Sequence, residues 1–124
     1  MKPREFLAMQ VQIDLPDDAL SAFTDGDSDA PERAARFLKS IAHRDRLKVL
    51  CGLLHGEQTV ATIEDQVGAS QSAVSQHLAR LKSEGILVSK REGRQIYYSI
   101  SDPTVRDLIE LLYFKFCAPK KFRD

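Results

Sequence analysis

The period of the apolar positions changes along the chain, and the changes divide it into elements. From position 30 the pattern is helical. Ala34, Phe37, Leu38 and Ile41 fall three and four residues apart and make one stripe, Pro31 suits the first helical position, and Glu32 sits in the first turn. A second helix is predicted over 44–55, with Leu47, Leu50, Cys51 and Leu54 on its buried face and Gly56 ending it. A third, shorter helix spans 60–67, with Thr59 as its N-cap, Ile63 and Val67 inward, and Gly68 as the stop. Ser70 caps a fourth helix over 71–84, closed by Gly85. The period then drops to two. Ile86, Val88 and Lys90 alternate with Leu87, Ser89 and Arg91, Glu92-Gly93-Arg94 turns the chain, and 95–100 runs back as a strand rich in aromatic and β-branched residues. Ser101 or Asp102 caps a last helix that starts at Pro103 and carries Val105, Leu108, Ile109, Leu112 and Phe116; Pro119 lies past its end. The prediction is a mainly α fold with one two-stranded β-hairpin, in the order helix, helix, helix, helix, hairpin, helix. A lone hairpin is marginally stable in water, so this one must lean on the helices.

The third and fourth helices are short and separated by Gly68, Ala69 and the cap Ser70, which is the pattern of a helix-turn-helix. Such a pair can also be a plain packing unit, and the faces of the fourth helix help to decide. At about 100° per residue, Val74, Leu78 and Leu81 point inward. Ser72, Gln76, Ala79 and Ser83 point outward, flanked by Ser75 and Arg80, with no acid before Glu84. An ordinary solvated helix mixes both charges, whereas a small, polar, acid-free face can approach a major groove closely, where Gln pairs with adenine. His77 falls at the boundary of the buried side and reads as a packing or capping residue. At the hairpin tip, Lys90, Arg91 and Arg94 surround Gly93, which suits phosphate contact; the alternative is a solubilising turn.

Composition narrows the class. The 124 residues are 43% hydrophobic and 29% charged, the mix of one globular domain. No apolar run approaches the ~18 residues that span a bilayer, so no membrane partner is expected. The N-terminus turns acidic where a secretory signal needs an apolar stretch, which points to the cytoplasm. The overall charge of zero hides a split. Residues 1–32 hold eight acids against two bases, a net of −6, and the remainder carries +6, which suits a polyanion-binding body behind an acidic leader. The expected organisation is an acidic, poorly structured leader over 1–29, a folded body over 30–118 and a charged tail over 119–124. TDGDSD at 24–29 reads as a linker, and a short helix fits 17–23. No paired carboxylates, nucleophile elbow or phosphate loop can be read, so an enzyme is not expected. Cys51 and Cys117 are too few for a disulfide scaffold and suit free thiols, a redox pair or ligands.

The stretches FLKSIAHRDRLKVLCGLL and SQSAVSQHLARLKSEGILVSKREGRQIYYSI resemble the ArsR/SmtB family of bacterial winged-helix repressors. The resemblance covers about 34–117. It rests on A-H-x-x-R-L at 42–47, S-x-S-x-V-S-x-H-L-x-x-L at 70–81 and the R-x-G-R wing at 91–94. It implies a winged helix-turn-helix, a homodimer built through the first and last helices, and a palindromic double-stranded operator released on sensing an inducer. DNA-binding residues would then be Gln71, Ser72, Ser75, Gln76 and Arg80 on the reading helix and Lys90, Arg91 and Arg94 in the wing. Metal-sensing relatives carry a Cys-x-Cys motif in the third helix or Asp and His along the last. Here the third reads VATIEDQV, and the last has Asp107 and Glu110 but no His. His43, His55 and His77 lie on other elements at spacings that match no zinc cluster, so no metal cofactor is expected. The contexts LCGLL and IELLYFKFC resemble the BigR/SqrR/HlyU branch, which senses reactive sulfur. That likeness implies a dithiol switch of Cys51 and Cys117 driven by persulfides or polysulfides. The alternatives are a repressor answering another oxidant or no inducer, a winged-helix interaction module without DNA, and, for Cys51 on its apolar stripe, a plain core residue.

Overall fold

A computed structural model of the chain describes residues 18–117; residues 1–17 of the acidic leader and 118–124, with Pro119 and the charged tail, lie outside them. Among the described residues, six helices and three strands follow in the order α1 (Ala19–Thr24), α2 (Ala30–Ile41), α3 (Arg44–Gly52), β1 (Gln58–Thr59), α4 (Val60–Val67), α5 (Gln71–Ser83), β2 (Leu87–Glu92), β3 (Gln95–Ile100) and α6 (Pro103–Phe116). The short α1 occupies the place where the sequence admits a helix ahead of the TDGDSD linker.

The predicted caps are formed. The Thr59 hydroxyl accepts from Thr62 N–H at 3.2 Å, Ser70 from Ala73 N–H at 3.2 Å and Asp102 from Thr104 N–H at 2.9 Å. Gly68 closes α4 in the left-handed region at φ 74°, a conformation that costs a β-carbon-bearing residue dearly. One expectation needs correction and one needs extension. The second predicted helix stops at Gly52 rather than near 55. Beyond it the chain tightens into three-residue turns, with Leu53 N–H donating to Leu50 O and Leu54 N–H to Cys51 O, and reaches Gly56 at φ 130°. The two-stranded hairpin of β2 and β3 forms as expected, but a strand the sequence did not announce joins it. Gln58 and Thr59 pair with Tyr98 and Tyr97 along the other edge of β3, giving an antiparallel sheet in the order β1-β3-β2. This third strand is how the hairpin leans on the helical body.

The core gathers around α3, α4, α5 and α6. Leu50, Leu53, Val74, Leu81, Val105 and Ile109 are fully buried, and Ile63, Leu78 and Ile86 nearly so. The most deeply buried positions of the α3 segment are Val49, Leu50 and Leu53, while the predicted Leu47, Cys51 and Leu54 are half-buried and pack against them. Two cationic side chains fasten the helices end to end. Lys48 Nζ donates to Val67 O at 3.3 Å at the close of α4, and Arg106 Nη1 donates to Leu54 O at 2.7 Å, docking α6 on the end of the α3 segment. Leu38, Tyr113 and Phe116, on α2 and α6, remain exposed at 52%, 39% and 63%.

Candidate functional site

Helix α5 is held from behind and open in front. Val74, Leu78 and Leu81 anchor it to the core. Gln71, Ser72, Ser75, Gln76, Ala79, Arg80 and Ser83 are all exposed, so the predicted reading face is a surface. Arg80 Nε lies 3.9 Å from Glu84 Oε1, one turn on, a weak exposed pair that leaves the guanidinium free to reorient. Lys82 Nζ donates to Ser89 Oγ at 2.8 Å and so ties the end of α5 to the base of the wing.

In the wing, Arg91 pairs across from Ile96 and Glu92 from Gln95, and Gly93 takes the turn at φ 63°. Arg91 and Arg94 are exposed, with Arg91 Nε donating to Gly93 O at 3.2 Å. Lys90 is placed differently from its neighbours. Its Nζ sits 3.1 Å from Glu57 and 3.2 Å from Glu92, and hydrogen bonds to these two carboxylates raise its pKa. Glu57 and Lys82, which brace the wing, carried no signal in the sequence, because both act through contacts between distant elements.

The two cysteines, 66 positions apart, line one cavity. Cys51 is half-buried on α3 and Cys117 is exposed at the C-cap of α6, and both are free thiols. Between them Leu47, Ile109, Leu112, Tyr113 and Phe116 enclose about 240 Å³ with almost wholly apolar walls. Burial, and then the neighbouring Cys117, push the Cys51 thiol above its ordinary range. The thiolate is the nucleophile, so the exposed Cys117 is the better placed of the two to react first.

Behind the exposed face of α5 lies a polar cluster. His77 packs as its boundary position suggests, with its side chain 16% exposed and its ring centroid 4.6 Å from that of His43. His43 caps α3, its Nδ1 accepting from Asp45 N–H at 3.1 Å, and Asp45 Oδ2 lies 4.0 Å from His77 Nε2. Two of the three histidines that the sequence places on separate elements are thus brought together with a carboxylate.

Comparison with known proteins agrees with this architecture. The family described as bacterial regulatory protein, arsR family, matches residues 43–89, from the α3 cap into β2. The transcriptional activator HlyU of Vibrio cholerae is 38% identical over 85 residues, covering 68% of this chain and 79% of that one. The biofilm growth-associated repressor of Xylella fastidiosa is 37% identical over 87 residues, covering 70% and 76%. The structure of reduced HlyU from Vibrio cholerae superimposes with a TM-score of 0.69 at 36% identity, over 72% of this chain and 94% of that one. A winged helix-turn-helix with an exposed, acid-free second helix, matched over two thirds of its length by such regulators, has one family reading. The chain belongs to the arsR family of bacterial regulatory proteins, transcription regulators that bind operator DNA and are not enzymes.

Proposed function

We propose that the protein is a dimeric repressor released from its operator by reactive sulfur through Cys51 and Cys117. The observation that carries this reading is the shared cavity: α3, which backs the reading head, and the end of α6 present one thiol each to the same apolar space. Cys117 thiolate attacks the sulfane sulfur of a persulfide RSSH and takes it as Cys117–S–SH, releasing RSH. The Cys51 thiol, losing its proton, then attacks Cys117 Sγ and expels hydrosulfide. The sum is two thiols plus RSSH giving one disulfide, RSH and hydrogen sulfide, with the dithiol oxidised by two electrons and the persulfide reduced. If a second persulfide first converts Cys51 to its own persulfide, condensation of the two with loss of hydrogen sulfide leaves a trisulfide.

On DNA, Ser72, Ser75 and Gln76 enter the major groove, Gln71 and Arg80 lie near the backbone, and Arg91 and Arg94 of the wing meet phosphates. Lys90, already held by Glu57 and Glu92, reaches DNA only by giving up those contacts and contributes least. A second copy covers the exposed apolar residues of α2 and α6, Leu38, Tyr113 and Phe116. The same helix, α6, then carries both the dimer face and Cys117, so a bridge to α3 changes how the reading heads stand relative to the interface.

Intact mass spectrometry after exposure to a persulfide donor tests the switch. The expected product is an intrachain Cys51–Cys117 bridge in the parent, and only uncrosslinked or single-site adducts in Cys51→Ser and Cys117→Ser. A parent chain that gains no sulfur-dependent bridge contradicts the reading.

A further inference from the structure

His43, Asp45 and His77 meet at the joint between the start of α3 and the middle of α5. Each can offer one ligand atom, and these atoms lie within 4.8 Å of one another. The contacts among the three side chains are poor hydrogen bonds. Asp45 Oδ2 and His77 Nε2 are 4.0 Å apart, beyond hydrogen-bond reach, and the two rings face each other tilted by 50°. Three potential ligand side chains thus lie side by side without a close side-chain hydrogen bond between Asp45 and His77. We propose that they bind a divalent transition-metal ion of the zinc class, with water completing the shell.

The donor chemistry fits that class. Two imidazole nitrogens and one carboxylate suit zinc and its neighbours and not the hard, all-oxygen cations. A tetrahedral shell with bonds of ~2.0 Å places ligand atoms ~3.3 Å apart, so modest rotations of two rings and a carboxylate close the present spacing. His43 is exposed, which gives an ion its way in. The neighbouring Arg46 charge opposes a cation, and the Asp45 carboxylate offsets it.

Occupancy has a structural consequence. His43 Nδ1 now accepts the Asp45 N–H bond that caps α3. An ion on Nδ1 displaces that bond. An ion on Nε2 moves the ring proton to Nδ1 and ends it as well. The ion therefore exchanges the α3 cap for a clamp between α3 and α5, at the residue next to Gln76 of the reading face. None of the three residues lines the cysteine cavity, so the site does not depend on the sulfur reading.

Cobalt(II) titration of the full-length Cys51→Ser, Cys117→Ser protein tests the proposal, because no thiolate can compete and the ion reports its ligands in visible absorption. The expected result is one cobalt per chain with a d–d spectrum free of sulfur charge transfer. His43→Gln and Asp45→Asn should each weaken binding by roughly tenfold or more, with circular dichroism showing the fold intact, and His55→Gln should change nothing. The proposal is overturned if the Cys51→Ser, Cys117→Ser protein takes up no cobalt at tenfold excess, if adding His43→Gln to it leaves the affinity unchanged, or if adding His55→Gln abolishes binding.

Discussion

At the scale of single residues, the chemistry is decided by burial. Cys51 and Cys117 share a cavity, but one thiol is desolvated and the other meets solvent, so they should react in sequence. Brief alkylation with iodoacetamide at neutral pH, followed by peptide mass spectrometry, should label Cys117 well before Cys51; equal labelling contradicts the asymmetry. His77 makes stability depend on pH. Its pKa in the folded chain lies below the ~6.5 of an unfolded histidine, so the unfolded state binds more protons between the two values and stability rises with pH across that window. The contribution is present above ~6.5 and lost as pH falls through the folded value. The urea midpoint should therefore drop between pH 7.5 and 5.5, and the drop should shrink in His77→Gln; an unchanged slope would assign the pH dependence to other groups. The caps Thr59, Ser70 and Asp102 were legible in the sequence because a cap bonds within three residues of itself. The contact of His43 with His77, and the placing of Cys51 and Cys117 on one cavity, were not, because each closes a long loop through packing that no local spacing records.

At the scale of elements, α5 is the clearest case of sequence dictating structure. Its apolar period put Val74, Leu78 and Leu81 in the core and left a face of Ser, Gln, Ala and Arg outside. Gln76→Ala should cost roughly 1–3 kcal/mol of operator binding and relax specificity at one base pair. Arg94→Ala should weaken binding to most sequences and lower the salt slope by about 1, while Lys90→Ala should do less because its charge is already met by Glu57 and Glu92. Anisotropy titrations at several salt concentrations separate these effects, and unchanged affinity in both Gln76→Ala and Arg94→Ala would mean the wrong face was assigned. The end of α3 and strand β1 were harder to read. Leu53 and Leu54 continue the apolar spacing of a helix although the backbone has tightened into turns, because those turns still deliver Leu53 to the core. A two-residue strand has no period to detect, and Thr59 serves at once as its last residue and as the α4 cap.

At the scale of the whole molecule, the proposed switch requires two chains. Leu38, Tyr113 and Phe116 lie exposed on α2 and α6, and two reading heads about one DNA turn (~34 Å) apart suit a palindromic operator. Sedimentation at micromolar concentration should report twice the 14.0 kDa of the chain, and a monomer alone would remove the route by which a bridge at the α6 end reaches the reading heads. The coupling can be no larger than the difference in DNA affinity between the bridged and reduced forms, and a tenfold release requires about 1.4 kcal/mol. The most direct measurement is the affinity for the protein's own upstream DNA, reduced and after polysulfide treatment, in the parent and in the Cys51→Ser, Cys117→Ser double variant. The parent should lose at least tenfold and the double variant should hold its DNA unchanged. A double variant that still leaves the DNA, or a fully bridged parent that stays on it, would contradict the dithiol switch.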